Sequence, residues 1–243
     1  CGLIIITAGA GQKPGETRTE LLGRNRVILS SIIEQIMQVD RDAVLLIVSN
    51  PVDVLTCMAH KLSGLPAGRV IGSGTVLDTA RLKYLLGQRL GVDSRNVHAF
   101  IIGEHGDSEL AVWSSANISG VDLDDYCRIT GIVQPAAVLH EIYENVRDAA
   151  YSIIEGKGAT YYGIGMAVRR IVEAIVRDEH SVLPVSSMIS GHYGVDGICL
   201  GLPSIVGRGG AGAVLDIPLS QEELARLQSS ARKMQELIDE VGG

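Results

Sequence analysis

The 243 residues are 46% hydrophobic and carry a net charge of −7, enough for one large domain or two small ones around a real core. With a pI of about 5.4, no basic block and only 4% aromatic residues, the chain offers neither a nucleic-acid surface nor base-stacking platforms. No apolar run reaches the length of a membrane span and no targeting segment is visible. The four cysteines, Cys1, Cys57, Cys127 and Cys199, are scattered without a CxxC, the pattern of reduced thiols in a cytoplasmic protein.

In chain order, Leu3 to Thr7 is a continuous apolar, β-branched run of the kind buried in a parallel sheet. The chain enters it at once, without a methionine or a preceding turn, and so reads as cut within a fold. Ala8 to Arg18 is a polar loop, and Thr19 to about Gln38 has helical periodicity. Ala43 to Val48 reads as a second buried strand, which ends at Ser49-Asn50-Pro51 because proline cannot continue a ladder. Asp53 to Lys61 reads as a helix, Val70-Ile71 as a short strand, Leu77 to Leu90 as a helix and Val97 to Ile102 as a strand. This β-α alternation predicts a parallel sheet with helices packed on it. From about residue 103 the pattern changes. Ala137 to Ile154 and Tyr161 to Arg177 read as long helices. Ser181 to Ser190, Asp196 to Ile205 and Ala213 to Ile217 read as strands with turns between them. Ser220 to Val241 closes as an amphipathic helix, with Ser220 and Glu223 spaced as a capping box. The fold class is therefore α/β followed by α+β with an antiparallel sheet, the change falling near residues 72 to 104 without a flexible linker.

Three residues carry the first chemical expectation. The strand Val97–Ile102 ends at Gly103 and delivers His105 to the strand end. Asp78 and Arg81 stand three apart on the Leu77–Leu90 helix and so share one face. A histidine, an aspartate to orient it and an arginine to grip an anion form an acid/base site. The simpler reading is a hydrogen-bonded His-Asp pair and a surface ion pair of little worth.

The glycine-rich loop Gly9-Ala10-Gly11-Gln12-Lys13-Pro14-Gly15 lies between a strand and a helix. It is not a dinucleotide fingerprint, because Pro14 occupies the position of the third glycine. It is not a Walker A loop either, because no Gly-Lys-Ser/Thr follows. An ordinary βα loop is a better reading than either phosphate cradle; a third option is a mobile loop bearing Gln12 and Arg18 at the carboxyl end of a strand, where open α/β sheets bind ligands. There Arg18 would polarise a carbonyl oxygen and Gln12 would test the far end of a substrate.

Six motifs in order, Ala8–Arg18, Ser49-Asn50-Pro51-Val52-Asp53, Val70–Gly74, Leu77–Arg81, Ile102–Asp107 and Gly158–Gly163, resemble the NAD-dependent L-lactate dehydrogenases of bacterial type, within the lactate/malate dehydrogenase superfamily. The resemblance covers essentially the whole chain. It implies a fold with residues 1–72 as the later part of a Rossmann-type NAD-binding domain, its first βα units missing, and residues 73–243 as the C-terminal catalytic domain. It implies hydride transfer between NAD(H) and the pyruvate/L-lactate pair, the last step of lactate fermentation. His105 would be proton donor and acceptor, Asp78 would orient it, Arg81 would bind the substrate carboxylate, and Arg18 would stabilise the developing alkoxide. Asn50 would reach both substrate and cofactor, Thr160 would line the substrate pocket, and Gly9, Ala10, Val48, Ser73 and Ile164 would contact the cofactor. Malate dehydrogenases of the superfamily carry arginine where this chain has Gln12, so a second substrate carboxylate would be left unpaired. Lys83 and His98 match positions that bind fructose 1,6-bisphosphate in many bacterial members. The family also implies a cytoplasmic homotetramer and no metal. The alternatives are a malate or branched 2-hydroxy-acid dehydrogenase, a metal-dependent hydrolase built on Glu104, His105, Asp107, His180 and His192, and a non-catalytic fragment.

Overall fold

The computed structural model describes residues 2–10, 18–132, 135–158 and 160–240. Its elements in chain order are β1 (Leu3–Ile6), α1 (Arg18–Val39), β2 (Val44–Ile47), α2 (Val52–Ser63), β3 (Val70–Gly72), α3 (Val76–Leu90), β4 (Val97–Ile102), β5 (Leu110–Ile118), β6 (Val121–Asp122), α4 (Leu123–Thr130), α5 (Pro135–Arg147), α6 (Ala149–Lys157), α7 (Tyr162–Val176), β7 (Ser181–Leu183), β8 (Ser186–His192), β9 (Val195–Gly201), β10 (Ser204–Gly207), β11 (Gly210–Val214) and α8 (Gln221–Glu240).

The main sheet has the order β1-β2-β3-β8-β9. Strands β1, β2 and β3 run parallel; β2 and β3 are buried as apolar runs in a parallel sheet should be, whereas β1, expected to be buried, stands at the end of the sheet order and is only partly covered, with Ile5 41% exposed. β2 is buried at every position, and Ile33 of α1 and Leu55 of α2 pack into the same core. Helix α2 lies close on β3. A Cβ on Gly72 would stand 2.4 Å from Thr56 Oγ1, so only glycine admits the helix at this distance.

Several expectations need correction. The strand at Val97–Ile102 does not join the parallel sheet. It pairs antiparallel with β5 in a separate sheet of order β4-β5-β6. The loop that carries His105 is short enough to return the chain as a hairpin, and the apolar face of β5 completes the pair. β5, β6 and α4 have no counterpart among the elements expected from the sequence. Second, the long helix expected over 137–154 is two, α5 and α6, broken at Asp148. Aspartate is a poor helix former, and this one is drawn onto the neighbouring Arg147 by two bonds of 2.8 and 3.0 Å.

Third, the strands expected over 181–190 and 196–205 are each divided, at Pro184 and Pro203. Proline cannot donate to a ladder, and both breaks hand the chain from one sheet to another. β7 and β10 lie in a three-stranded sheet with β11, whereas β8 and β9 extend the main sheet. β11 spans Gly210–Val214 rather than 213–217. The remaining helices lie within two residues of their expected ends. The capping box forms, with the Glu223 amide on Ser220 Oγ at 3.2 Å and the Ser220 amide on Glu223 Oε2 at 2.8 Å. Cys57, Cys127 and Cys199 are free and buried. No helix among the described residues is long and apolar enough to cross a membrane.

Candidate active site

The loop between β4 and β5 is fastened at successive residues. Gly103 turns it with a φ of 93°, a conformation that favours glycine, and exchanges main-chain bonds of 2.9 Å with Gly201 of β9. The Glu104 amide donates to Ser230 Oγ of α8 at 3.1 Å, and the His105 amide donates to Asp53 Oδ2 of α2 at 2.7 Å. α3 is locked to β4 in turn. Thr75 Oγ1 donates to the Ile101 carbonyl at 2.6 Å, and the Ile101 amide donates to Thr79 Oγ1 at 2.9 Å.

These contacts bring the three sequence-predicted residues together. Asp78 is buried to 2% exposure. Its Oδ2 lies 2.7 Å from His105 Nδ1 and its Oδ1 lies 3.4 Å from Arg81 Nη1. The ring nitrogen Nε2 of His105 is thereby the one left for a ligand. Burial alone pushes the His105 pKa down. The hydrogen bond and charge of Asp78, with the charges of Asp53 and Glu109 behind it, outweigh that and raise it to about 9.

The site opens into a cavity of about 340 Å³, walled in part by Asn50, Asp78, Arg81, His105, Glu109 and Arg147. Glu109 was not anticipated from the sequence. It is buried, its Oε1 has no hydrogen-bond partner among the described residues, and its carbonyl accepts a 2.5 Å bond from Tyr143 Oη. Burial first, and then the charge of Asp78, raise its pKa to about 8. Asp53, Thr75 and Thr79 were also missed. The local signal is slight: Asp53 and Thr79 are polar residues in helices whose buried positions are mostly apolar, and Thr75 lies just before α3. Tyr151 of α6 donates to Asp107 Oδ1 at 2.8 Å, beside His105.

The other expected site residues are distributed as follows. Gln12 lies outside the described residues, and Arg18 begins α1 with its side chain also outside them. Asn50 is exposed at the cavity wall, just past the carboxyl end of β2. Val48 and Ile164 are half-buried and pack on one apolar cluster with Leu46 and Ile71. Ser73 is buried past β3, its amide on the Ile47 carbonyl at 2.9 Å. Gly9 is exposed and Ala10 half-buried past β1. Thr160 is half-buried just before α7. Lys83 is half-buried, its amine 5.7 Å from the Phe100 ring, and burial lowers its pKa. His98 is exposed on β4.

The hydrolase alternative needs a cluster that does not form. His180 Nδ1 lies 3.0 Å from the Asp178 carbonyl, and His192 Nδ1 lies 2.8 Å from Asp216 Oδ1. Asp78, His105 and Glu109 do place donor atoms within 4.8 Å of one another, but Asp78 already spends both oxygens on His105 and Arg81.

Comparison with known proteins agrees with this geometry. Residues 1–72 match the NAD-binding domain of lactate/malate dehydrogenases, and residues 75–242 match their alpha/beta C-terminal domain. The L-lactate dehydrogenase of Thermoanaerobacter pseudethanolicus is 55% identical over 239 residues, covering 98% of this chain and 77% of the relative. L-lactate dehydrogenase 1 of Clostridium acetobutylicum is 50% identical over 98% of this chain and 76% of its own. The minor L-lactate dehydrogenase of Enterococcus mundtii, solved with ligands bound, superposes with a TM-score of 0.94 at 42% identity, over 98% of this chain and 76% of that one. With both domain models matched in chain order and solved relatives superposing over nearly its whole length, the chain belongs to the lactate/malate dehydrogenase family.

Proposed function

We propose that this chain interconverts pyruvate and L-lactate as an NAD-dependent L-lactate dehydrogenase. The observation that carries the reading is Asp78 holding His105 on one oxygen and Arg81 on the other at the wall of a single cavity. His105 gives its proton from Nε2 to the carbonyl oxygen of the 2-oxo acid and takes it back in reverse. Its raised pKa keeps it charged at neutral pH. Asp78 sets the orientation of the ring. Arg81 receives the substrate carboxylate in a fork that lysine cannot form. Arg18, from the head of α1, closes over the substrate and stabilises charge developing on its carbonyl oxygen. Asn50 hydrogen-bonds near that oxygen, and Thr160 lines the pocket.

The residues fit the nicotinamide end of the cofactor. The carboxyl ends of β1, β2 and β3 lie side by side, where parallel sheets take their ligands. Asn25 ties that edge together, accepting from the Ala10 amide at 2.7 Å and donating to the Asn50 carbonyl at 3.1 Å. Val48 and Ile164 add hydrocarbon from one cluster. Gly9, Ala10, Val48, Asn50, Ser73 and Ile164 are the residues that would hold this end. NAD(H) supplies or accepts the hydride. We assign residues 1–72 to the NAD-binding part and 73–243 to the catalytic part.

Gln12 sets the substrate, since a neutral side chain leaves a second carboxylate unpaired in a closed site. NADH oxidation should therefore be faster with pyruvate than with oxaloacetate. The assay is run in this chain and in one extended by the two βα units that the resemblance leads one to expect. Preference for oxaloacetate, or for a branched 2-oxo acid, would reassign the substrate; turnover of none by either protein would reject the dehydrogenase reading.

The remaining assignments are a cytoplasmic location, a homotetramer, which sedimentation equilibrium tests, and regulation by fructose 1,6-bisphosphate through Lys83 and His98. Lys83 binds a phosphate as a point charge. The bisphosphate should lower the KM for pyruvate, and Lys83→Ala should remove the effect. An unchanged response in that variant would rule the site out.

A further inference from the structure

Asp53 is buried to 1% exposure at the start of α2. A buried carboxylate is unfavourable unless its charge is answered. The positive end of the α2 dipole answers part of it. One oxygen, Oδ2, accepts the main-chain amide of His105 at 2.7 Å, across 52 residues of sequence. The other, Oδ1, has no partner among the described residues, although Ser186 of β8 lies beside the carboxylate. An apolar side chain would match the buried residues beside it in the helix, Val52, Val54 and Cys57. What it would not do is hold the His105 amide.

The position of Asp53 adds a second consequence. It stands three residues after Asn50, at the head of the helix that follows the Ser49-Asn50-Pro51 turn. One short, partly buried hydrogen bond thus joins the turn carrying Asn50 to the loop carrying His105. We propose that Asp53 is a positioning residue for His105, fixing its main chain through Oδ2 in register with Asn50 and setting a buried carboxylate next to that residue. This deepens the reading of His105 as the proton-transfer residue and rests on it. The other charged groups around His105 are Asp78 and Arg81 from α3, Glu104 and Asp107 in the same loop, Glu109 just before β5 and Arg147 at the end of α5. Among them Asp53 alone holds the His105 main chain.

The test compares Asp53→Asn, Asp53→Ala and His105→Asn in this chain. Two readouts are used: titration of the His105 ring by NMR with 13C-labelled histidine, and steady-state kinetics with pyruvate. The His105 signal, one of six histidines, is assigned by its loss in His105→Asn. Asp53→Asn keeps the acceptor and removes the charge. Its kcat should fall less than that of Asp53→Ala, while the His105 titration moves to lower pH by about half a unit or more. Asp53→Ala removes both. Its kcat should fall by about tenfold or more with a smaller change in the KM for pyruvate, because Arg81 is untouched. A folded Asp53→Ala protein with parental kcat would overturn the proposal. So would a His105 titration that moves in neither variant. If Asp53→Ala does not fold, the titration in the isosteric Asp53→Asn decides. Undiminished turnover in His105→Asn would instead reject the proton-transfer reading, while the titration would still report whether Asp53 acts on His105.

Discussion

Pyruvate reduction is expected to fall by about 10²- to 10⁴-fold in His105→Asn, the range lost with a positioned general acid. The variant should keep its fold. Asparagine leaves the main-chain ties of residues 103 to 105 intact, since these run through backbone groups to Gly201, Ser230 and Asp53. The pH dependence of the parent carries the same signature. His105 holds its proton up to about 9 because Asp78 outweighs the effect of burial. Reduction needs the charged ring, so its rate should decline as pH rises through about 9. Lactate oxidation needs the neutral ring, so its rate should rise over the same interval. Glu109, held neutral to about 8 by burial and by Asp78, ionises just before His105 does.

The linkage has one sign for both groups. Each holds a proton more tightly in the fold than in the unfolded chain, so each stabilises the fold fully at low pH and loses that contribution as pH rises through its folded pKa. For His105 the loss runs from 6.5 to about 9 and for Glu109 from 4.5 to about 8. The denaturation midpoint should therefore drop towards alkaline pH, and less steeply in His105→Asn. A flat midpoint and a flat rate profile between pH 7 and 10 would contradict the assigned Asp78–His105 couple.

The second large effect belongs to Arg81. Removing one partner of a desolvated, hydrogen-bonded charge pair costs about 2–5 kcal/mol, roughly 30- to 4,000-fold in binding at 1.4 kcal/mol per decade. Arg81→Ala should raise the KM for pyruvate on that scale. The reason is in its surroundings. The side chain is only 18% exposed, with Nη1 held by Asp78 at 3.4 Å. On its other side runs α7, where a Cβ on Gly163 would stand 3.8 Å from Nη2. The guanidinium is therefore held between two helices rather than waving in solvent. Arg81→Lys keeps a charge but loses the planar fork, so its KM should lie between those of the parent and Arg81→Ala. Saturation kinetics with pyruvate measures both. A KM unchanged in Arg81→Ala would place the substrate carboxylate elsewhere.

Local rules made half of the site legible. Spacing put Asp78 and Arg81 on one face of α3, and the run Val97–Ile102 ended in a glycine that delivered His105 to the strand end. Apolar, β-branched runs marked β1 and β2, and the capping box of Ser220 and Glu223 marked the start of α8. In each case the interacting residues lie within one helical turn or one strand of each other, so periodicity and end signals carry the information. The tertiary structure alone decided the rest. β4 pairs with β5 rather than with the parallel sheet, and Pro184 and Pro203 pass strands between sheets instead of bending them within one. The Thr75 and Thr79 hydroxyls fasten α3 to Ile101, and Glu109 comes to lie beside Asp78. Asp53 reaches the His105 amide from 52 residues away. These contacts depend on which strands choose each other as neighbours, a choice made by burial summed over the whole core, and the side chains that fasten the site lie 22 to 52 residues from their partners.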